Sequence, residues 1–157
     1  MKGRTFLGIL LALSWLAVSS DLRAADAALG SWKLNVSKSK YTPGLVPQSG
    51  SVKYEASDGG YKRTGETIEA DGTKSAFESA AKYDGRDYPV TGSAIFDAIA
   101  LKRIDGNTSE ATLKKAGKAA RHARRVISKE GKVMTITMTG TNDKGEKVHN
   151  VAVYDKQ

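Results

Sequence analysis

Turn signals recur through this chain at a nearly fixed interval. Asp58-Gly59, Asp71-Gly72 and Asp84-Gly85 fall 13 residues apart, and Asp105-Gly106 follows 21 residues later. Gly117, Gly131 and Gly145 continue the series at intervals of 14. Asp-Gly pairs supply the positive φ angles that tight hairpin turns require. Between the turns lie short segments rich in Thr, Val, Ile and Tyr with alternating polarity, which is strand chemistry. Trp32, Leu34 and Val36 alternate with Lys33 and Asn35, and Met134, Ile136 and Met138 alternate with Thr135, Thr137 and Thr139. The segments share no motif beyond their turns, so the regularity is architectural.

Ten strands are expected: Gly30–Val36, Ser51–Ser57, Tyr61–Glu69, Lys74–Lys82, Tyr88–Thr91, Ile99–Ile104, Thr108–Lys115, Lys118–Ser128, Lys132–Thr139 and Lys147–Tyr154. Short connections make neighbours antiparallel. An all-β meander of this length with one apolar face closes into an up-and-down barrel or folds over as a sandwich. The loop Ser37–Gln48, with Pro43 and Pro47, is placed to cover a barrel end, and the irregular stretch Pro89–Asp97 marks a bulge or short edge strand. One segment admits a second reading. Leu113, Ala116, Ala120, Ala123 and Ile127 fall at helical spacing, flanked by Lys114, Lys115, Lys118, Arg121, Arg124 and Arg125. Gly117 interrupts that stripe and favours two strands; the basic helix is the alternative.

The N-terminus reads as a secretory signal. Lys2 and Arg4 precede a thirteen-residue apolar run from Phe6 to Val18. A membrane span needs about 20 apolar residues, so no transmembrane segment is expected after cleavage, which is placed after Ser20 or after Ala27. The signal helix and a short linker then occupy residues 1–27, and residues 28–157 form one domain. The expected location is the periplasm or the exterior. The chain has no Cys, which excludes disulfides and a cysteine-linked lipid anchor. Its net charge of +8 favours anionic partners. For an exported protein these are envelope surfaces or acidic small molecules, and no nucleic acid.

The segment Gly30-Ser31-Trp32-Lys33-Leu34-Asn35 resembles the opening strand of the calycins, the lipocalin and fatty-acid-binding superfamily, where Gly-x-Trp begins the barrel. Gly131 through Gly140 and Val151 through Tyr154 are similar to the closing strands of the fatty-acid-binding branch, and to small exported lipocalin-like bacterial proteins of unassigned function. The resemblance implies a calycin-type barrel with Trp32 plugging one end. Two features depart from it. The Arg-x-Tyr pair that clamps a carboxylate in the fatty-acid-binding branch reads Ala152-Val153-Tyr154, so the phenol is kept and the cation is lost. The twelve residues Ser37–Gln48, with two prolines, are too few for a helical lid.

Catalytic signatures are missing. His122 and His149 stand 27 residues apart and outside any metal-spaced cluster, and no Gly-x-Ser-x-Gly elbow, phosphate loop or dinucleotide fingerprint occurs. No catalytic residue, metal or cofactor is therefore expected. The expected activity is binding of a small apolar or amphipathic ligand inside the barrel. Its lining is Trp32, Phe77, Met134, Ile136 and Met138, with Arg124 and Tyr154 as polar contacts. A drug-sized ligand asks for roughly 300 Å³ or more of interior. The alternative is an envelope-associated protein that binds anionic lipid or polysaccharide through Lys114, Lys115, Lys118, Arg121, Arg124 and Arg125.

Overall fold

The computed structural model describes residues 26–142 and 144–157. The signal segment expected over residues 1–27 lies outside this range except for Asp26 and Ala27. Ten strands follow in order: β1 (Gly30–Leu34), β2 (Ser49–Ser57), β3 (Gly60–Ile68), β4 (Lys74–Lys82), β5 (Asp87–Thr91), β6 (Ala98–Arg103), β7 (Thr108–Lys115), β8 (Lys118–Ile127), β9 (Val133–Thr141) and β10 (Lys147–Lys156). Every strand pairs antiparallel with its sequence neighbour, and β1 closes the sheet against β10 through Trp32–Lys156, Lys33–Asp155 and Leu34–Tyr154. The fold is a closed ten-stranded barrel, and closure leaves no free sheet edge. Each strand end falls within two residues of its expected place.

The turns work differently from the expectation in one respect. Gly59, Gly72 and Gly85 do adopt positive φ, but their aspartates do not. Asp71, Asp84 and Asp105 instead accept the backbone N–H two residues ahead, from Thr73, Arg86 and Asn107, at 2.8–3.0 Å. Such Asx turns leave the left-handed residue to glycine alone. The helical alternative at 113–127 is resolved as the hairpin β7–β8. Ala116 and Gly117 both take positive φ, 48° and 75°, at its tip, which is the mirror-image two-residue turn that matches strand twist.

Inside and outside follow the pleat. Trp32, Leu101 and Met134 are the largest fully buried side chains. The Trp32 indole donates to the Ala28 carbonyl at 2.7 Å, and Lys156 lies 4.9 Å from its ring while donating to Leu29 O. Residues 26–29 thus form a strap that closes one end of the barrel over Trp32. At the other end Tyr41 and Val46, from the β1–β2 loop, pack on the core. That loop covers the end as expected.

One wall is incomplete. β4 and β5 pair only through Glu78–Thr91 and Ser79–Val90, then part. Val90 N–H bonds to Asp97 on the β6 side, so by alternation the Pro89 nitrogen faces β4, where it has no hydrogen to give. The ladder ends where that donor is missing.

Candidate functional site

Two arginines from opposite walls meet the centre of the barrel. β8 carries Arg121, Ala123, Arg125 and Ile127 on its inward parity and His122, Arg124 and Val126 on its outward one. Arg125, only 7 % exposed, is the deeper. Its Nη2 donates to Tyr83 Oη at 2.7 Å and lies 3.4 Å from Asp26 Oδ1. Its guanidinium carbon sits 4.9 Å and 5.0 Å from the rings of Tyr54 and Tyr61. These rings meet edge to face at 4.9 Å, and Tyr61 meets Tyr83 likewise at 5.6 Å, so the cation is cradled by aromatic faces.

The strap supplies the counter-charge. Asp26 accepts from the Tyr83 hydroxyl and the Ala28 N–H, and pairs with Arg103 at 3.2 Å. Burial pushes its carboxyl upward. The Tyr83 hydroxyl, the Arg125 charge, the Ala28 N–H and Arg103 outweigh that and hold it below the ordinary carboxylate value. Burial pushes the Tyr83 phenol up to about 12, and it raises Tyr61 and Tyr154 as well, so all three remain neutral donors at physiological pH.

Arg63 enters from β3, on the same parity as Tyr61. Its guanidinium carbon lies 4.2 Å from the Phe77 ring and 5.7 Å from that of Tyr54. Between Arg63 and Arg125 lies a void of about 50 Å³. Tyr54, Tyr61, Ser109 and Glu110 add polar groups to its lining, and Ile99, Leu113, Ile136 and Met138 add apolar ones. Arg63 Nε and Arg125 Nε and Nη1 are buried with no hydrogen-bond partner among the described residues. Larger grooves, about 450 to 950 Å³, lie on the outer wall and beside the strap, among exposed polar side chains.

The expected ligand residues divide accordingly. Ile136 and Met138 line the void, and Phe77 reaches it through Arg63. Trp32 and Met134 are fully buried core side chains, and Tyr154 is buried beside them. Arg124 is a correction. It faces outward, pairs with Glu110 at 2.6 Å and is 52 % exposed, because it has the parity opposite to Arg125. The six cations of the basic hairpin do not form one surface either. Arg121 and Arg125 point inward, Lys114 pairs with Asp87 at 2.8 Å, and Lys115 and Lys118 are exposed at the tip. The expectation of an interior above 300 Å³ is also corrected, since aromatic and arginine side chains fill most of it.

Asp26, Tyr54, Tyr61, Arg63, Tyr83 and Arg103 belong to the site without matching any motif in the sequence. Parity alone reveals Arg63 once Tyr61 is set inward; Asp26 gives no such signal. Among the described residues no group of three His, Asp or Glu side chains is placed to hold a metal ion, and no helix is long and apolar enough to cross a membrane. Comparison with known proteins finds no matching family model and no matching curated relative.

Proposed function

We propose that this chain is an exported, calycin-like binding protein without catalytic activity, which takes a small amphipathic ligand into its barrel. The observation that carries the reading is the mixed lining of the void, with apolar Ile99, Leu113, Ile136 and Met138 beside polar Arg63, Arg125 and two tyrosines. Ligand pockets combine an apolar lining with a few placed polar groups in this way. The volume sets the scale. About 50 Å³ exceeds the space one water needs and suits a headgroup or a molecule of few heavy atoms. A longer apolar tail asks Met138 to change rotamer, which its unbranched side chain does at little cost. The Gly-x-Trp opening, with Trp32 sealed under the strap, supports the calycin part of the reading.

Native mass spectrometry of the protein recovered from its own cell envelope tests this. A small molecule retained in stoichiometric amount is expected. A protein that arrives empty, and whose Ile136 and Met138 methyl resonances ignore every added amphiphile, would defeat the proposal. The second reading, adhesion to an anionic envelope surface, rests on Lys115 and Lys118 at the β7–β8 tip. It requires binding to anionic vesicles that falls steeply with salt.

A further inference from the structure

We infer that the ligand is a small organic anion, a carboxylate or a phosphate monoester, whose charged group sits between Arg63 and Arg125. This rests on the interior-binding reading and gives its ligand a chemical class. A guanidinium has five N–H donors and no way to shed its charge inside a protein. Arg125 uses Nη2 on Tyr83 and Asp26, while its Nε and Nη1 are buried and unpartnered. Arg63 adds a third buried, unpartnered donor in Nε. Native interiors rarely leave such groups orphaned, and a bound ion is among the standard reasons when they do.

Charge counting points the same way. Asp26 faces two cations, Arg103 and Arg125, and Arg63 forms no ion pair among the described residues. Glu110 also borders the void, but its carboxylate pairs with Arg124, so among the described residues the centre of the barrel holds more positive than negative charge. Water satisfies a donor but leaves that imbalance, whereas an anion answers both. The void borders both arginines and is of headgroup size, and Ile99, Leu113, Ile136 and Met138 in its lining give an attached alkyl chain somewhere to go. The site is built on β3 and β8. It is thus distinct from the last-strand position where Ala152 stands in place of an arginine.

The test is calorimetric titration of the full chain with hexanoate, hexyl phosphate and hexanol, followed at the Ile136 and Met138 methyls. Binding of either anion at least tenfold tighter than hexanol is expected, and the tighter anion names the headgroup. Arg63→Gln removes the charge of an arginine that holds no ion pair, and should weaken anion binding about tenfold while its melting temperature stays near the wild-type value. Arg63→Lys should recover part of the loss. Hexanol binding as tightly as both anions, or R63Q leaving anion affinity unchanged, overturns the anion assignment but keeps interior binding. Silence of the methyls toward all three probes, with nothing retained in the native mass spectrum, defeats the binding reading itself.

Discussion

At the scale of single residues, Asp26 ties the chain's first described residue to the barrel's interior. It stands 99 residues from Arg125 and 57 from Tyr83 in sequence, and removing its charge leaves a buried guanidinium without its carboxylate. Breaking a buried pair by deleting one partner costs about 3–5 kcal/mol. Asn keeps the shape and the hydrogen bond to Tyr83, so Asp26→Asn should cost about 2–3 kcal/mol in urea unfolding at pH 7. The pH dependence has a definite sign. The folded-state carboxyl titrates below its unfolded value of 3.8, so the stabilisation is complete above that value and is lost as pH falls through it toward the lower folded pKa. Unfolding free energy of the wild type should therefore decline across that acid window, with the D26N profile flatter there; parallel profiles would remove Asp26 from the account. None of this was legible in the sequence. Asp26 precedes the first strand, where no periodicity assigns it a face, and its partners are set by closure of the barrel.

At the scale of elements, hairpins were legible because turn chemistry is local, while the use of each face was not. Alternation along β8 shows that one arginine set points inward, but Arg124 and Arg125 differ by a single step, and only the register with β7 and β9 decides between them. The β7–β8 tip carries a local cost that the sequence also concealed. Ala116 occupies the left-handed region at φ 48°, with its N–H on Asp97 at 2.8 Å. An L-residue with a Cβ pays about 1–2 kcal/mol there, and Asn tolerates it better. Ala116→Asn should thus raise stability by about 0.5–1 kcal/mol, read as a higher urea midpoint at unchanged m-value. The strap makes a second demand, on processing. Cleavage after Ala27 would delete Asp26 and create a charged amine at Ala28, which is fully buried. Cleavage after Ser20 leaves the strap whole. If the proposed signal is cleaved, the intact mass of the mature protein should match a chain starting at Asp21, and a mass starting at Ala28 would show that the Asp26 network is dispensable.

At the scale of the whole molecule, a closed barrel distributes stability around its circumference, and the β4–β5 seam is where this one is interrupted. The ten-strand closure was legible because each strand and turn announced itself. The degree of filling was not, since interior volume depends on where the aromatic rings and the arginines settle together. The seam follows from one residue, Pro89, whose missing donor ends the ladder after Ser79–Val90. Tyr83 N–H bonds to Gly59, so odd residues of β4 give their N–H groups to β3, and even ones point theirs toward β5. The Ser79–Val90 pair is of the non-hydrogen-bonded kind, so its flanking bond takes up the Ala80 N–H on Pro89 O, and Lys82 is the first donor beyond the ladder. Ala81 and Ser79 lie on the bonded side, paired with Tyr61 and Arg63. Local opening draws on backbone groups that lack ladder partners. Hydrogen exchange at Lys82 should therefore run on the order of a hundredfold faster than at Ala81 and Ser79. A seam that opens to admit ligand also makes this contrast ligand-dependent. Saturating hexanoate or hexyl phosphate should slow Ala81 and Ser79, which report opening of the wall, and leave the already exposed Lys82 unchanged. Uniform protection along β4 would mean that the wall is continuous in solution and that the ligand reaches Arg63 by another route.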